Sequence, residues 1–152
     1  MGTISKWTSG ENQLKNYLKK NKRIILQLNH DKNKAKMLGE AAELIASDHL
    51  EGCGLKLIAR NFRCRLGEID LIMQDNDELV FVEVRYRQNN NFGGAINSID
   101  KRKCQKMIKT AFFYLHQERY YDEKPCRFDV MIIHSMHCKR VEWIKDAFRL
   151  DD

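Results

Sequence analysis

GEIDLIMQDNDELVFVEVRYR, residues 67–87, decides the fold. Two apolar runs of strand length flank Asp75-Asn76-Asp77, a turn composition, so the stretch predicts a β-hairpin. Side chains alternate across a strand, which sends Glu68 and Asp70 to one face and Ile69, Leu71 and Met73 to the other. On the second strand Glu83, Arg85 and Arg87 share a face, opposite Val80, Val82 and Val84. With Asn76-Asp77 as a two-residue loop, the antiparallel register sets Asp70 across from Glu83 and Glu68 across from Arg85. A one-residue slip would move the two acidic sets to opposite faces.

Carboxylates facing each other repel unless a cation lies between them. A hard divalent ion takes oxygen ligands, commonly one or two carboxylates with water and substrate phosphate completing the shell. Asp70 and Glu83, with Glu40 nearby, are therefore candidate ligands for Mg²⁺ or Mn²⁺. Arg85 beside them would stabilise charge developing on a phosphate. Glu68 is accounted for by a cross-strand or surface ion pair.

Upstream, Met37, Ala41, Leu44, Ile45 and Asp48 recur at helical spacing, predicting a helix from about Lys34 to Leu50 with this stripe against the core. At ~100° per residue Glu40 lies about 60° from Met37, at the edge of the stripe, and Glu43 lies further round toward solvent. Gly52-Cys53-Gly54 closes the helix, and Leu55–Phe62 reads as the first strand. Downstream, residues 88–98 form a glycine-bearing loop. A second helix follows from Ile99 or Asp100 to Arg119, burying Cys104, Met107, Ile108, Ala111 and Leu115. Strands over 127–134 and 139–144, then a short closing turn, complete the order αβββαββ. This order predicts an α/β fold with a mixed central sheet flanked by helices.

The chain has 152 residues, 43% of them hydrophobic, which suits one compact domain. Residues 32–150 are read as that domain, and the Lys- and Asn-rich residues 1–31 as a basic extension, either solvated or touching phosphates. Twenty-seven Lys plus Arg against 21 Asp plus Glu give a net charge of +6, a balance that favours polyanionic partners. Lys101, Arg102, Lys103, Lys106 and Lys109 crowd the start of the second helix, where its dipole favours acids. Cations and free backbone N–H groups together suit phosphate, so with Arg87 these residues are the candidate nucleic-acid contacts. A solvated helix face is the plainer alternative.

Five cysteines without paired spacing indicate neither a disulfide framework nor a zinc ribbon. His134-x-x-His137-Cys138 lacks the second cluster that a zinc site needs. Phe112, Phe113 and Tyr114 are read as core and partial surface rather than as a base-stacking platform, and Asp129 as a core support or a partner of Arg127. The N-terminal region shows no apolar signal-peptide core, and no run approaches the ~20 apolar residues of a bilayer span. The expectation is a cytoplasmic protein with no membrane partner.

The motifs GEAA (39–42), ARNFR (59–63), GEIDLI (67–72), FVEVRYR (81–87) and RFDV (127–130), with the helix start at Asp100–Lys103, resemble the YraN family of bacterial proteins. The likeness spans about residues 34–149. That family resembles the PD-(D/E)XK nucleases, close to Holliday junction resolvases, and the resemblance implies a restriction-endonuclease-like core. It implies that Glu40 is the acid of the first helix, Asp70 the motif aspartate and Glu83 the second motif acid. The implied function is metal-dependent hydrolysis of phosphodiester bonds in DNA, branched or otherwise structured DNA included, by a homodimer. Arg85 stands where the superfamily pattern has lysine. A guanidinium stays charged, so Arg85 can clamp a phosphate but cannot serve as a base. The alternative is therefore a nuclease fold that binds nucleic acid with weak or no cleavage, and Lys103 is a candidate displaced lysine.

Overall fold

The computed structural model describes residues 32–87, 100–120, 124–136 and 140–149. The extension 1–31, the loop 88–98, His137 and Cys138 lie outside the described residues. The chain divides into two units, Met1–Leu38 and Gly39–Asp152. The first contributes only the opening turns of a helix to the described residues, and the sheet belongs to the second.

The elements are α1 (Lys32–Gly52), β1 (Lys56–Cys64), β2 (Gly67–Asp75), β3 (Glu78–Tyr86), α2 (Lys101–Gln117), β4 (Cys126–Ser135) and β5 (Arg140–Phe148), in the expected order αβββαββ. Their spatial order in the sheet is the chain order. β1–β2, β2–β3 and β4–β5 pair antiparallel, whereas β3–β4 pair parallel. A parallel pair cannot be closed by a tight turn, and α2 lies in the crossover between its two strands.

The hairpin register is the one its two-residue loop dictates: Asp75 pairs with Glu78, and the ladder runs to Leu71 opposite Val82. Asn76 adopts the left-handed conformation at φ 53°, which asparagine tolerates in a turn. Alternation along β3 then buries residues on both faces. Leu79 and Phe81 join a cluster with Met107, Ala111, Tyr114 and Leu115 of α2, while Val80 and Val82 are equally buried outside that cluster. Tyr114 meets Phe62 and Phe81 edge-on, at centroid distances of 5.1 and 6.0 Å. Phe81, Phe128 and Phe148 stack in a row. At ~25 cal/mol per Å² of apolar surface, these rings contribute much of what holds α2 on the sheet.

Three local expectations are corrected. The buried face of α1 is Ala42, Ile45, Ala46 and Leu50, with Asp48 exposed, so the helix is rotated from the stripe read off its hydrophobicity. Polar contacts set that rotation: Arg60 of β1 donates to the buried Ser47 hydroxyl (2.9 Å) and Asn61 Nδ2 to Glu43 Oε2 (2.8 Å). Strict alternation also fails on β2, where Ile69 and Ile72 belong to one cluster. Opposite this stretch Asn61 takes φ 51°, and the buried pattern of β1 slips by one there. Finally, β5 runs to Phe148, past the expected turn. A shift in the β4–β5 register before Phe128↔Phe148 accommodates Asp146 at φ 50°, and its N–H bonds to Asp129 Oδ1 (2.9 Å).

Candidate active site

Asp70 and Glu83 occupy the next positions beyond the last paired residues of β2 and β3, Leu71 and Val82. There the Asp70 side chain takes up a strand donor: the Val84 N–H bonds to Asp70 Oδ2 at 2.8 Å. Glu83 is only 4% exposed, with Arg85 Nε 3.0 Å from its Oε1 and Lys103 Nζ 3.2 Å from its Oε2. Lys103 also reaches Glu68 Oε1 (3.8 Å), whose second oxygen lies 3.3 Å from Arg63 Nε.

The carboxylates are poorly compensated. Burial pushes the Glu83 carboxyl up to about 7, the neighbouring Asp70 charge adds to this, and Lys103 and Arg85 only partly oppose it. Asp70 is also raised, chiefly by burial, against the Val84 hydrogen bond and the charge of Lys103. Although the ion-pair distances are short, Glu83 Oε2 and Arg85 Nε are buried without an aligned hydrogen bond. Desolvated acids with a lone pair left over are the electrostatic condition that a bound cation relieves.

Helix α2 delivers Lys103 to this point. Asp100 caps the helix, its Oδ1 accepting from the Arg102 N–H at 3.1 Å. The helix then crosses close to Gly67, the first residue of β2, where a Cβ would stand 2.8 Å from Thr110 Oγ1. Thr110 is fully buried and bonds the Lys106 carbonyl. The glycine of GEID therefore sets how near α2, and Lys103 with it, lies to the acids.

The structure thus brings together Asp70, Glu83, Arg85 and Lys103. Glu68 pairs with Arg63 and Lys103, whereas Arg85 pairs with Glu83, so the expected Glu68–Arg85 pair is replaced. Lys103 turns toward the carboxylates, while Lys101, Arg102, Lys106, Lys109 and Arg87 are exposed.

Glu40, expected as the third acid, is exposed on α1. No group of three His, Cys, Asp or Glu side chains able to hold a metal occurs among the described residues, so Glu40, Asp70 and Glu83 do not form a preassembled ligand set. The acid of α1 whose carboxyl feels Asp70 is Glu43, raised first by burial and then by the charges of Asp70 and Glu40. Glu43, expected toward solvent, is only partly exposed. Its signal lay in Asn61, whose amide holds it, but that pairing depends on the left-handed residue in β1.

Asp129 of RFDV supports the fold. It is fully buried and accepts from Trp143 Nε1 (2.9 Å), the Asp146 N–H and Arg127 Nε (3.1 Å). Arg127 extends this network to Asp75 and Glu78 at the foot of the β2–β3 hairpin. His134 meets Glu142 at 3.1 Å.

A family model described as "Uncharacterised protein family UPF0102" matches residues 42–133. A UPF0102 protein of Pseudomonas putida strain F1 is 47% identical over 112 residues, 72% of this chain and 91% of its own length. One from Ectopseudomonas mendocina is 49% identical over 111 residues, 73% of this chain and 93% of that protein. Another, from Nitrosococcus oceani, is 48% identical over 114 residues, covering 74% and 92% of the two chains.

Proposed function

The chain belongs to the uncharacterised protein family UPF0102, the YraN family, and from that premise we propose that it is a metal-dependent endonuclease that hydrolyses phosphodiester bonds of structured DNA in the cytoplasm. One observation carries this reading: two desolvated, adjacent carboxylates, Asp70 and Glu83, share their surroundings with two cations, Arg85 and Lys103. Asp70 and Glu83 would hold Mg²⁺ or Mn²⁺, with water and phosphate oxygens completing the shell. When bound, the ion supplies a Lewis acid at the phosphate and lowers the pKa of bound water.

The remaining chemistry belongs to the chain. The Val84 N–H orients the Asp70 carboxylate through a bond on one oxygen, leaving the other to face a ligand. Arg85 holds Glu83 in place from its own strand and, being always charged, offers N–H groups to a phosphate oxygen. Lys103 supplies, from α2, the ammonium that the strand position lacks. A substrate phosphate arriving at the acids competes for both cations, which would leave Glu83 to its other ligands. Exposed Lys101, Arg102, Lys106, Lys109 and Arg87 steer the DNA backbone.

The second reading, a nuclease fold that binds without cutting, is favoured by the same ion pairs: Glu83 already has two cations, and one of them is arginine in place of lysine. Cleavage of linear, flapped and four-way DNA with Mg²⁺ or Mn²⁺ separates the two. Metal-dependent cutting that Asp70→Asn reduces by 100-fold or more supports hydrolysis. Salt-dependent binding with no cutting supports the second reading.

A further inference from the structure

Among the described residues four large apolar side chains are more than a third exposed, namely Ile58, Leu66, Phe112 and Phe113. Three of the four line a single groove of about 730 Å³, completed by Lys109 and His116. Scattered exposed apolar residues need no explanation, but a concentration of them ringed by charge marks a binding surface. Leu66, at the tip of the β1–β2 turn, also lines a second groove of about 590 Å³ with Arg63, Arg65, Glu68, Lys103 and Lys106. Through Glu68 and Lys103 that second groove abuts the Asp70–Glu83 acids. One path therefore leads from the acids, past cations, over Leu66, to two phenylalanines at 39% exposure.

The order of residues along the path identifies its occupant. Lys106, Lys109, Phe112, Phe113 and His116 follow helical spacing on the exposed side of α2, so cations lie nearer the acids and rings further out. Phe113 rests against Phe62 at a centroid distance of 6.5 Å, which braces the ring while part of it faces outward. Cations tracking a backbone, followed by braced aromatic faces, suit a polyanion with unstacked planar groups, which a single strand is and a duplex is not. A second copy of this chain would bring the same positive charge to the groove and meet repulsion from Arg63, Arg65, Lys106 and Lys109.

We propose that this face of α2 binds single-stranded DNA, with phosphates on Arg63, Arg65, Lys106 and Lys109, one or two unstacked bases on Phe112 and Phe113, and Leu66 as an apolar step between the rings and the acids. This deepens the nuclease reading and rests on it for direction: the strand enters the acids from its single-stranded side. The substrate class is DNA in which a duplex gives way to an unpaired strand.

The test uses the full chain in EDTA, so that binding is read apart from cleavage. The probe is a 20-nucleotide oligothymidine carrying one 2-aminopurine, with a duplex of equal length for comparison. Expected are a change in 2-aminopurine fluorescence on binding and tighter binding of the single strand than of the duplex. Phe112→Leu and Phe113→Leu, which keep apolar bulk, weaken single-strand binding by roughly tenfold each and leave duplex binding unchanged. Phe112→Trp retains both the fluorescence change and the affinity, whereas Lys109→Ala lowers the salt dependence by about one ion and keeps the fluorescence change. Circular dichroism melts of each variant matching the wild type show that the losses are not unfolding. Equal affinity for strand and duplex, or leucine variants that bind as wild type does, overturns the proposal. So does a leucine variant whose mass in sedimentation halves while its single-strand affinity holds, since the groove is then a contact between copies. Stacking without any cleavage in Mg²⁺ would overturn the hydrolytic reading and leave this one standing.

Discussion

Glu83 is where stability and chemistry oppose each other. Its carboxyl titrates at about 7 in the folded protein against 4.5 ordinarily, because burial and Asp70 outweigh the help from Lys103 and Arg85. Between these values the folded chain keeps a proton that the unfolded chain has lost. The resulting stability is fully present below pH 4.5 and is lost as the pH rises through 7. Glu83→Gln, which carries no charge to desolvate, should therefore stabilise the protein by on the order of 1–3 kcal/mol at pH 8 and by little at pH 5. Urea unfolding of both proteins at the two pH values measures this difference, and equal gains at both would show that the cost is not one of ionisation. Asp70 and Glu83 were legible from residue type and a two-residue turn. Glu43 was not, because Asn61 in a left-handed conformation is what brings it to the sheet.

At the scale of elements, the β2–β3 register could be read as far as Leu71 opposite Val82, because a two-residue loop leaves a single register. The placement of α2 could not. Lys103 follows Glu83 by 20 residues, and its arrival there depends on the crossover and on contact at Gly67. Of the three cations that open α2, Lys101 and Arg102 are exposed, whereas Lys103 turns inward to Glu83, a difference that charge pattern alone does not carry. Gly67→Ala puts a methyl against Thr110 and should cost about 1–3 kcal/mol by displacing α2. The double variant Gly67→Ala/Thr110→Ser keeps the hydroxyl and so the clash, whereas Gly67→Ala/Thr110→Ala removes it and should recover only the part of the loss that the contact causes, since alanine at φ 159° is strained in either background and the bond to the Lys106 carbonyl is lost. Thermal melts of the three proteins check this. The end of β5 has no local signature, because it is held by Asp129 through a tertiary contact.

Across the whole molecule, element order and the mixed α/β class follow from hydrophobic period and turn chemistry, which are local quantities, whereas the strand order and the parallel β3–β4 pairing are tertiary. The rotation of α1 and the reach of Arg127 to Asp75 and Glu78 are collective; the sequence pattern names the Arg127–Asp129 pair but not these further partners. No described helix is long and apolar enough to cross a membrane, and the four described cysteines, Cys53, Cys64, Cys104 and Cys126, are free thiols. Arg63, Arg65, Lys103, Lys106 and Lys109 gather with the acids and the two exposed rings about one end of the β1–β2 hairpin and α2, so the proposed substrate would account for them together. The central claim is that Asp70 and Glu83 form a divalent-cation site, and calorimetric titration of the full chain with Mn²⁺ at pH 8 tests it most directly. The expected result is saturable binding that weakens at pH 6, as Glu83 takes up its proton, and vanishes in Asp70→Asn. No heat of binding at pH 8, or binding unchanged in Asp70→Asn, would contradict it.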